Sequence, residues 1–171
     1  MTNEYTIPVN GLASGRTEFG WSVGKEFFEE FGNTEVLDAD LSVRATAEKS
    51  GTRINVDCDM EGVLTVQCDR CLADLQIRIA PHVRLSVRHE GAGNAEEDGR
   101  EVISLAPDEA VLDMSQIIYD YACLALPMHR VHEVGKCDGS VIGHIGIAVQ
   151  SDMNPDEEKE SPFAVLKKML D

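Results

Sequence analysis

Two cysteines three positions apart, in Cys68-Asp69-Arg70-Cys71, have the clearest capacity for chemistry in this sequence. On a turn at the end of a strand, that spacing presents both sulfurs to one tetrahedral metal. A second half could come from His129, His132 and Cys137, far along the chain. Thiolate and imidazole donors together favour zinc among the common divalent ions. The candidate ligand set is Cys68, Cys71, His132 and Cys137, although the long interval between the halves is not that of a standard zinc finger. The plain alternative makes Cys68 a core residue and Cys71 a free thiol. A thioredoxin-like redox role fits less well, because that motif opens a helix after a parallel strand.

Other residues point to binding or to packing. Cys58 and Cys123 read as core cysteines, since a free thiol packs as a small hydrophobe. Arg78, His82, Arg84 and Arg88 share one parity of a strand-like stretch, and Arg70 lies near them in sequence. Side chains of one parity project to one face, where they could track a phosphate backbone and bind RNA. The alternative is a sheet face neutralised by neighbouring acids. No catalytic residues are expected: the chain lacks a P-loop, a strand-following G-x-G-x-x-G, a G-x-S-x-G and an H-E-x-x-H. Gly139–Gly146 is glycine-rich but without a phosphate-binding lysine, and His144 within it reads as a loop residue.

These residues need elements to position them. Leu41, Val43, Ala45 and Ala47 alternate with polar residues, as do Ile54, Val56, Cys58 and Met60, then Leu64, Val66 and Cys68. Period-two alternation marks half-buried strands. A tight Ser50-Gly51 turn would pair Ala47 with Ile54 and Val43 with Cys58. A three-residue loop, Met60-Glu61-Gly62 with Gly62 left-handed, would then return Leu64 opposite Cys58. The expectation is a three-stranded meander. Leu75, Ile77, Ile79, Val83, Leu85 and Val87 continue one parity past Pro81, as two strands meeting at a bend or one edge strand.

Around that centre, Thr6-Ile7-Pro8-Val9 suggests a short edge strand. Trp21 to Phe31 suggests a helix or turn burying Phe27, Phe28 and Phe31, with Gly32 as its stop. Residues 90–101 read as an acidic, glycine-rich mobile loop, and Val102–Leu105 as a short strand. Asp113 and Gln116 have capping-box spacing for a helix that must end before Pro127. The fold class expected is α+β, an antiparallel β-meander sheet with a few peripheral helices. One domain would span 1–150, followed by an acidic linker at 151–160 and a short helix at 161–171.

The 171 residues carry 31 Asp and Glu against 15 Lys and Arg, a formal net charge of −16. Such a surface repels phosphate backbones overall, so it calls for a basic partner or confines RNA contact to a local basic patch. Acidity that merely keeps the protein soluble is the bland alternative. Five cysteines, an odd count, argue against a disulfide framework. There is no run long and apolar enough for a membrane span and no secretory signal at Met1-Thr2-Asn3-Glu4. A cytoplasmic location and no membrane partner are expected.

Val66-Gln67-Cys68-Asp69-Arg70-Cys71-Leu72, with Leu124-Ala125-Leu126-Pro127-Met128-His129 followed by His132 and Cys137, resembles the large ribosomal RNA subunit accumulation protein family, the YceD-like proteins of bacteria and plastids. The closing Pro-Phe-x-x-Leu-Lys-Lys-x-Leu matches its layout too. The resemblance implies a non-enzymatic ribosome-biogenesis factor supporting accumulation of large-subunit ribosomal RNA. Its partner would be a basic large-subunit ribosomal protein or the ribosomal RNA precursor, with no small-molecule substrate. The chain departs from the family where His132 stands in place of a frequent cysteine and a following Cys-x-x-Cys-Gly ribbon is missing. No cofactor is certain, and zinc is the candidate. The competing expectation is a zinc-dependent hydrolase or metal-binding protein using Cys68, Cys71, His132 and Cys137.

Overall fold

The computed structural model describes residues 4–51, 53–89 and 99–143. Among the described residues of Met1–Val131, eight strands and two helices follow one another: β1 (Thr6–Pro8), β2 (Gly15–Gly24), α1 (Lys25–Glu30), β3 (Val36–Ser50), β4 (Arg53–Gln67), β5 (Asp74–Ile79), β6 (His82–His89), β7 (Glu101–Leu105), β8 (Val111–Asp113) and α2 (Ser115–Leu124). The chain from His132 forms a second unit, described over 132–143 as a loop and a helical turn at 139–143.

The fold is mainly β, which corrects the α+β expectation: about 50% of the structure is strand and 16% helix. The sheet is mixed as well, because β6 and β7 run parallel. Residues 15–24 account for much of the difference. Thr17, Phe19, Trp21 and Val23 alternate with polar or glycine positions, and this stretch is the ten-residue strand β2, paired along its whole length with β3. Helix α1 therefore starts only at Lys25. It still buries Phe27 and Phe28, and Gly32 after it takes a left-handed φ of 70°.

The central hairpin also differs from the expected meander. β3 and β4 are each 15 residues, and Ser50 pairs with Arg53 across the turn. Ala47 therefore faces Val56 and Val43 faces Met60, two residues away from the expected register. An even shift leaves every apolar side chain on its face. There is no second turn at Met60-Glu61-Gly62. Positions 54 to 66 keep one parity throughout, and an unbroken strand satisfies that pattern without a loop. Gly62 serves a different purpose: a Cβ there would lie 2.0 Å from the Asp40 carbonyl oxygen and 2.8 Å from the Leu41 Cα. The glycine lets β3 approach β4 closely.

β4 has two partners on its other edge. Ile54–Asp59 pair with β6, and Gly62–Gln67 pair with β5. The bend at Pro81 is where one partner gives way to the other, and the Pro81 carbonyl accepts the Met60 N–H at 3.0 Å. The strand order is β2-β3-β4-β6-β7, with β5 beside β4, while β1 and β8 form a separate pair.

One face of the sheet is dry. Leu41, Val43, Ala45, Ala47, Val56, Cys58, Met60, Val83, Leu85 and Val87 join Phe27, Phe28, Ile7, Met114 and Ile118 in the main core. Helix α2 begins as expected near Asp113, but its cap residue is Met114, with Asp113 Oδ1 accepting the Ser115 N–H at 2.8 Å. Gln116 donates instead to Asp120, one turn along. The expected loop at 90–101 lies outside the described residues up to 98, and the expected linker and terminal helix at 151–171 lie outside them entirely.

Candidate functional site

The end of β4 sets up the cysteine pair. Val66, Cys68 and Cys71 are buried yet stand outside the main apolar cluster. The turn between the two cysteines is closed by backbone bonds: the Cys68 N–H donates to Ala73 and the Leu72 N–H to Cys68, both at 2.9 Å. Leu72 holds a φ of 61° with its side chain 66% exposed. A left-handed leucine is strained by roughly 1–3 kcal/mol and persists only where its surroundings enforce it.

Asp69, inside the motif, ties this turn to the segment after α2. Its N–H donates to the Arg130 carbonyl at 2.7 Å, and its Oδ2 accepts the Arg130 N–H at 2.7 Å. The Arg130 guanidinium donates onward to Glu35 at 2.9 Å, while its Nε, buried and without a hydrogen bond, lies 3.7 Å from Asp69 Oδ1. Two reciprocal backbone anchors thus hold Arg130, two residues before His132.

The ligand atoms of Cys68, Cys71, His132 and Cys137 all lie within 4.8 Å of one another. Zinc–sulfur bonds of about 2.3 Å in a tetrahedron place donors roughly 3.7 Å apart. Three thiols and an imidazole are a soft donor set suited to zinc. The group could hold a metal ion. His129 is exposed and is not in the group. None of the cysteines is in a disulfide.

Cys58 and Cys123 behave differently. Burial, helped by Asp59, pushes the Cys58 thiol up to about 12. Burial also raises Cys123, whose Sγ lies 3.7 Å from the Asn33 amide. Both are poor nucleophiles in the folded chain.

The family model described as large ribosomal RNA subunit accumulation protein YceD matches residues 56–170. The chain belongs to the YceD family. No curated protein and no solved structure matches it. For this YceD-family chain, the match takes in the four metal-ligand candidates, the arginine stripe and α2, and it begins inside β4.

The arginine stripe lies on the sheet face away from the core, among acids. Arg84 pairs in register with Asp57, and His82 with Asp59. His82 Nδ1 lies 2.7 Å from Asp59 Oδ1, with both side chains largely in solvent. On the opposite edge of β4, Arg44 of β3 pairs in register with Asp59. Arg78 lines an outer hollow of about 550 Å3 together with Arg44, Asp40, Asp59 and Glu61. Arg70 is exposed in the cysteine turn. The β4 acids therefore run between the basic groups of β3 and β6. Sequence reasoning missed Arg100, whose guanidinium donates to both Asp57 carboxylate oxygens at 2.8 and 3.4 Å. It also missed the Asp69–Arg130 clamp. Neither pairing leaves a periodic signal, because both join residues far apart in the chain.

Proposed function

We propose that this YceD-family chain is a non-enzymatic binding factor in large-subunit ribosome assembly whose direct partner is a basic large-subunit ribosomal protein. The family supports a role in accumulation of large-subunit ribosomal RNA and is not known as an enzyme family. The observation that carries the choice of partner is the alternation of charge on the outer sheet face. The column Asp57-Asp59-Glu61 on β4 stands beside Arg84 and His82, so a phosphate backbone laid along the stripe would meet carboxylates at its centre. A cationic protein meets a net charge of −16 and is steered by it. In the same reading, Cys68, Cys71, His132 and Cys137 hold a structural zinc that fixes the cysteine turn and takes no part in turnover.

Co-sedimentation tests the proposal. Tagged protein is expected to travel with large-subunit precursors and to retain a ribosomal protein after nuclease treatment. Alanine at Arg78, Arg84 and Arg88 together should leave that association unchanged. Loss of the partner on nuclease treatment, or its loss in the triple-alanine variant, would reject a protein partner in favour of RNA bound along the stripe.

A further inference from the structure

The segment that follows α2 is held at one point. Leu126 is the last residue there to pack on the core, and Pro127, Met128, His129 and Val131 are exposed. None of residues 127–131 lies in a helix or strand. Among the described residues, the backbone of 127–131 is hydrogen-bonded only through Arg130, and both bonds go to Asp69. The Asp69 N–H donates to the Arg130 carbonyl, and Asp69 Oδ2 accepts the Arg130 N–H, each at 2.7 Å. Asp69 is itself fixed, because it lies in the turn that the Cys68 and Leu72 N–H groups close. One residue therefore stands between two metal-ligand candidates in the sequence and grips the chain two residues before a third.

The consequence is energetic. Cys71 and His132 are far apart in the sequence, and bringing two such distant halves to one ion carries a loop-closure cost. Bonds that hold Arg130 against the cysteine turn meet that cost within the fold, so less ordering remains for the binding step. A backbone N–H given to a carboxylate is among the stronger hydrogen bonds, which suits it to this task. Asp69 Oδ1 also lies 3.7 Å from the Arg130 Nε, and the same guanidinium donates to Glu35 at 2.9 Å. Asp69 is not one of the four grouped donors. We infer that Asp69 is a positioning residue for the Cys68, Cys71, His132 and Cys137 group: it binds no metal, but it sets metal affinity by fixing where the segment leading to His132 and Cys137 begins. The inference rests on the proposed zinc site and names a residue that tunes it.

The zinc affinity of the full-length protein, measured by competition with a chromophoric chelator, tests this. Asp69→Ala should bind zinc about 10–100-fold more weakly than wild type, the loss typical of residues that orient metal ligands. Asp69→Asn keeps an acceptor oxygen and should fall between the two. Arg130→Ala keeps the backbone N–H and C=O of position 130 and should lose less than Asp69→Ala. Gly62→Ala strains the β3–β4 hairpin instead of the turn and should leave the affinity of the folded protein unchanged. Saturated with cobalt, wild type and Asp69→Ala should share one thiolate-to-metal absorption spectrum, because their ligands are the same. Wild-type affinity in Asp69→Ala would overturn the inference, as would an equal loss in Gly62→Ala or an altered cobalt spectrum. Should Asp69→Ala not fold, undiminished affinity in Asp69→Asn would overturn it. Wild-type protein that binds no zinc would sink the metal site itself, and this inference with it.

Discussion

At Cys58 the sheet's dry face acts on a single thiol. Burial raises its ionisation from 9.0 to about 12, so the folded form resists deprotonation while the unfolded form does not. The associated stability is present below about pH 9 and is lost as pH rises from there towards 12. Cys58→Ala is expected to flatten the alkaline limb of a melting-temperature profile, and native Cys58 should escape alkylation at pH 8 until the protein unfolds. Rapid native alkylation would contradict its burial. The thiols of Cys68, Cys71 and Cys137, with His132, could hold a metal ion instead. Purified protein is expected to contain about one zinc per chain, the stoichiometry of a single four-ligand site. Cys68→Ser or Cys137→Ser should lower that content by at least half, and chelation should lower the melting temperature of the wild type only. Equal metal content in wild type and variants would show that these residues are not the ligands.

Among the elements, the long β3–β4 hairpin carries the fold, and Gly62 is its tightest point. A methyl group there would meet the backbone of Asp40 and Leu41, and backbone cannot swing aside as a side chain does. Gly62→Ala should cost about 2–4 kcal/mol in denaturant unfolding. Gly20→Ala, whose nearest atom would be 3.8 Å away, is the control and should cost far less. The turn at the end of β4 depends similarly on Asp69. Asp69→Ala leaves the Arg130 N–H without its acceptor and is expected to cost about 0.5–1.5 kcal/mol. Asp69→Asn, which keeps an acceptor oxygen, should recover part of this. If both variants melted like the wild type, the clamp would have no structural weight.

For the whole molecule the deciding quantity is charge. With twice as many acids as bases, association with a cationic protein should weaken as salt rises from low to physiological strength. It should survive nuclease, whereas RNA binding would share the salt response but not the nuclease resistance. Salt-independent association would point to a purely apolar contact and remove the acidic surface from the account. Among the described residues, no helix is long and apolar enough to cross a membrane.

The alternation at residues 41–47 and 54–66 by itself determined which side chains are buried, because strand parity is local and survives any even shift in pairing. The C-x-x-C spacing and the late His132 and Cys137 likewise pointed to four candidate donors, a group that could hold a metal ion. Register, partner choice and strand direction were decided only by the tertiary structure. The expected Ala47–Ile54 pairing and the observed Ala47–Val56 pairing bury the same residues, so pattern alone cannot separate them. The alternation in β2 was present but broken up by Gly15, Gly20 and Gly24. The parallel β6–β7 pairing, the Arg100–Asp57 bridge and the Asp69–Arg130 clamp join residues distant in the chain. Such contacts form only once the chain has folded back on itself, and no local pattern records them.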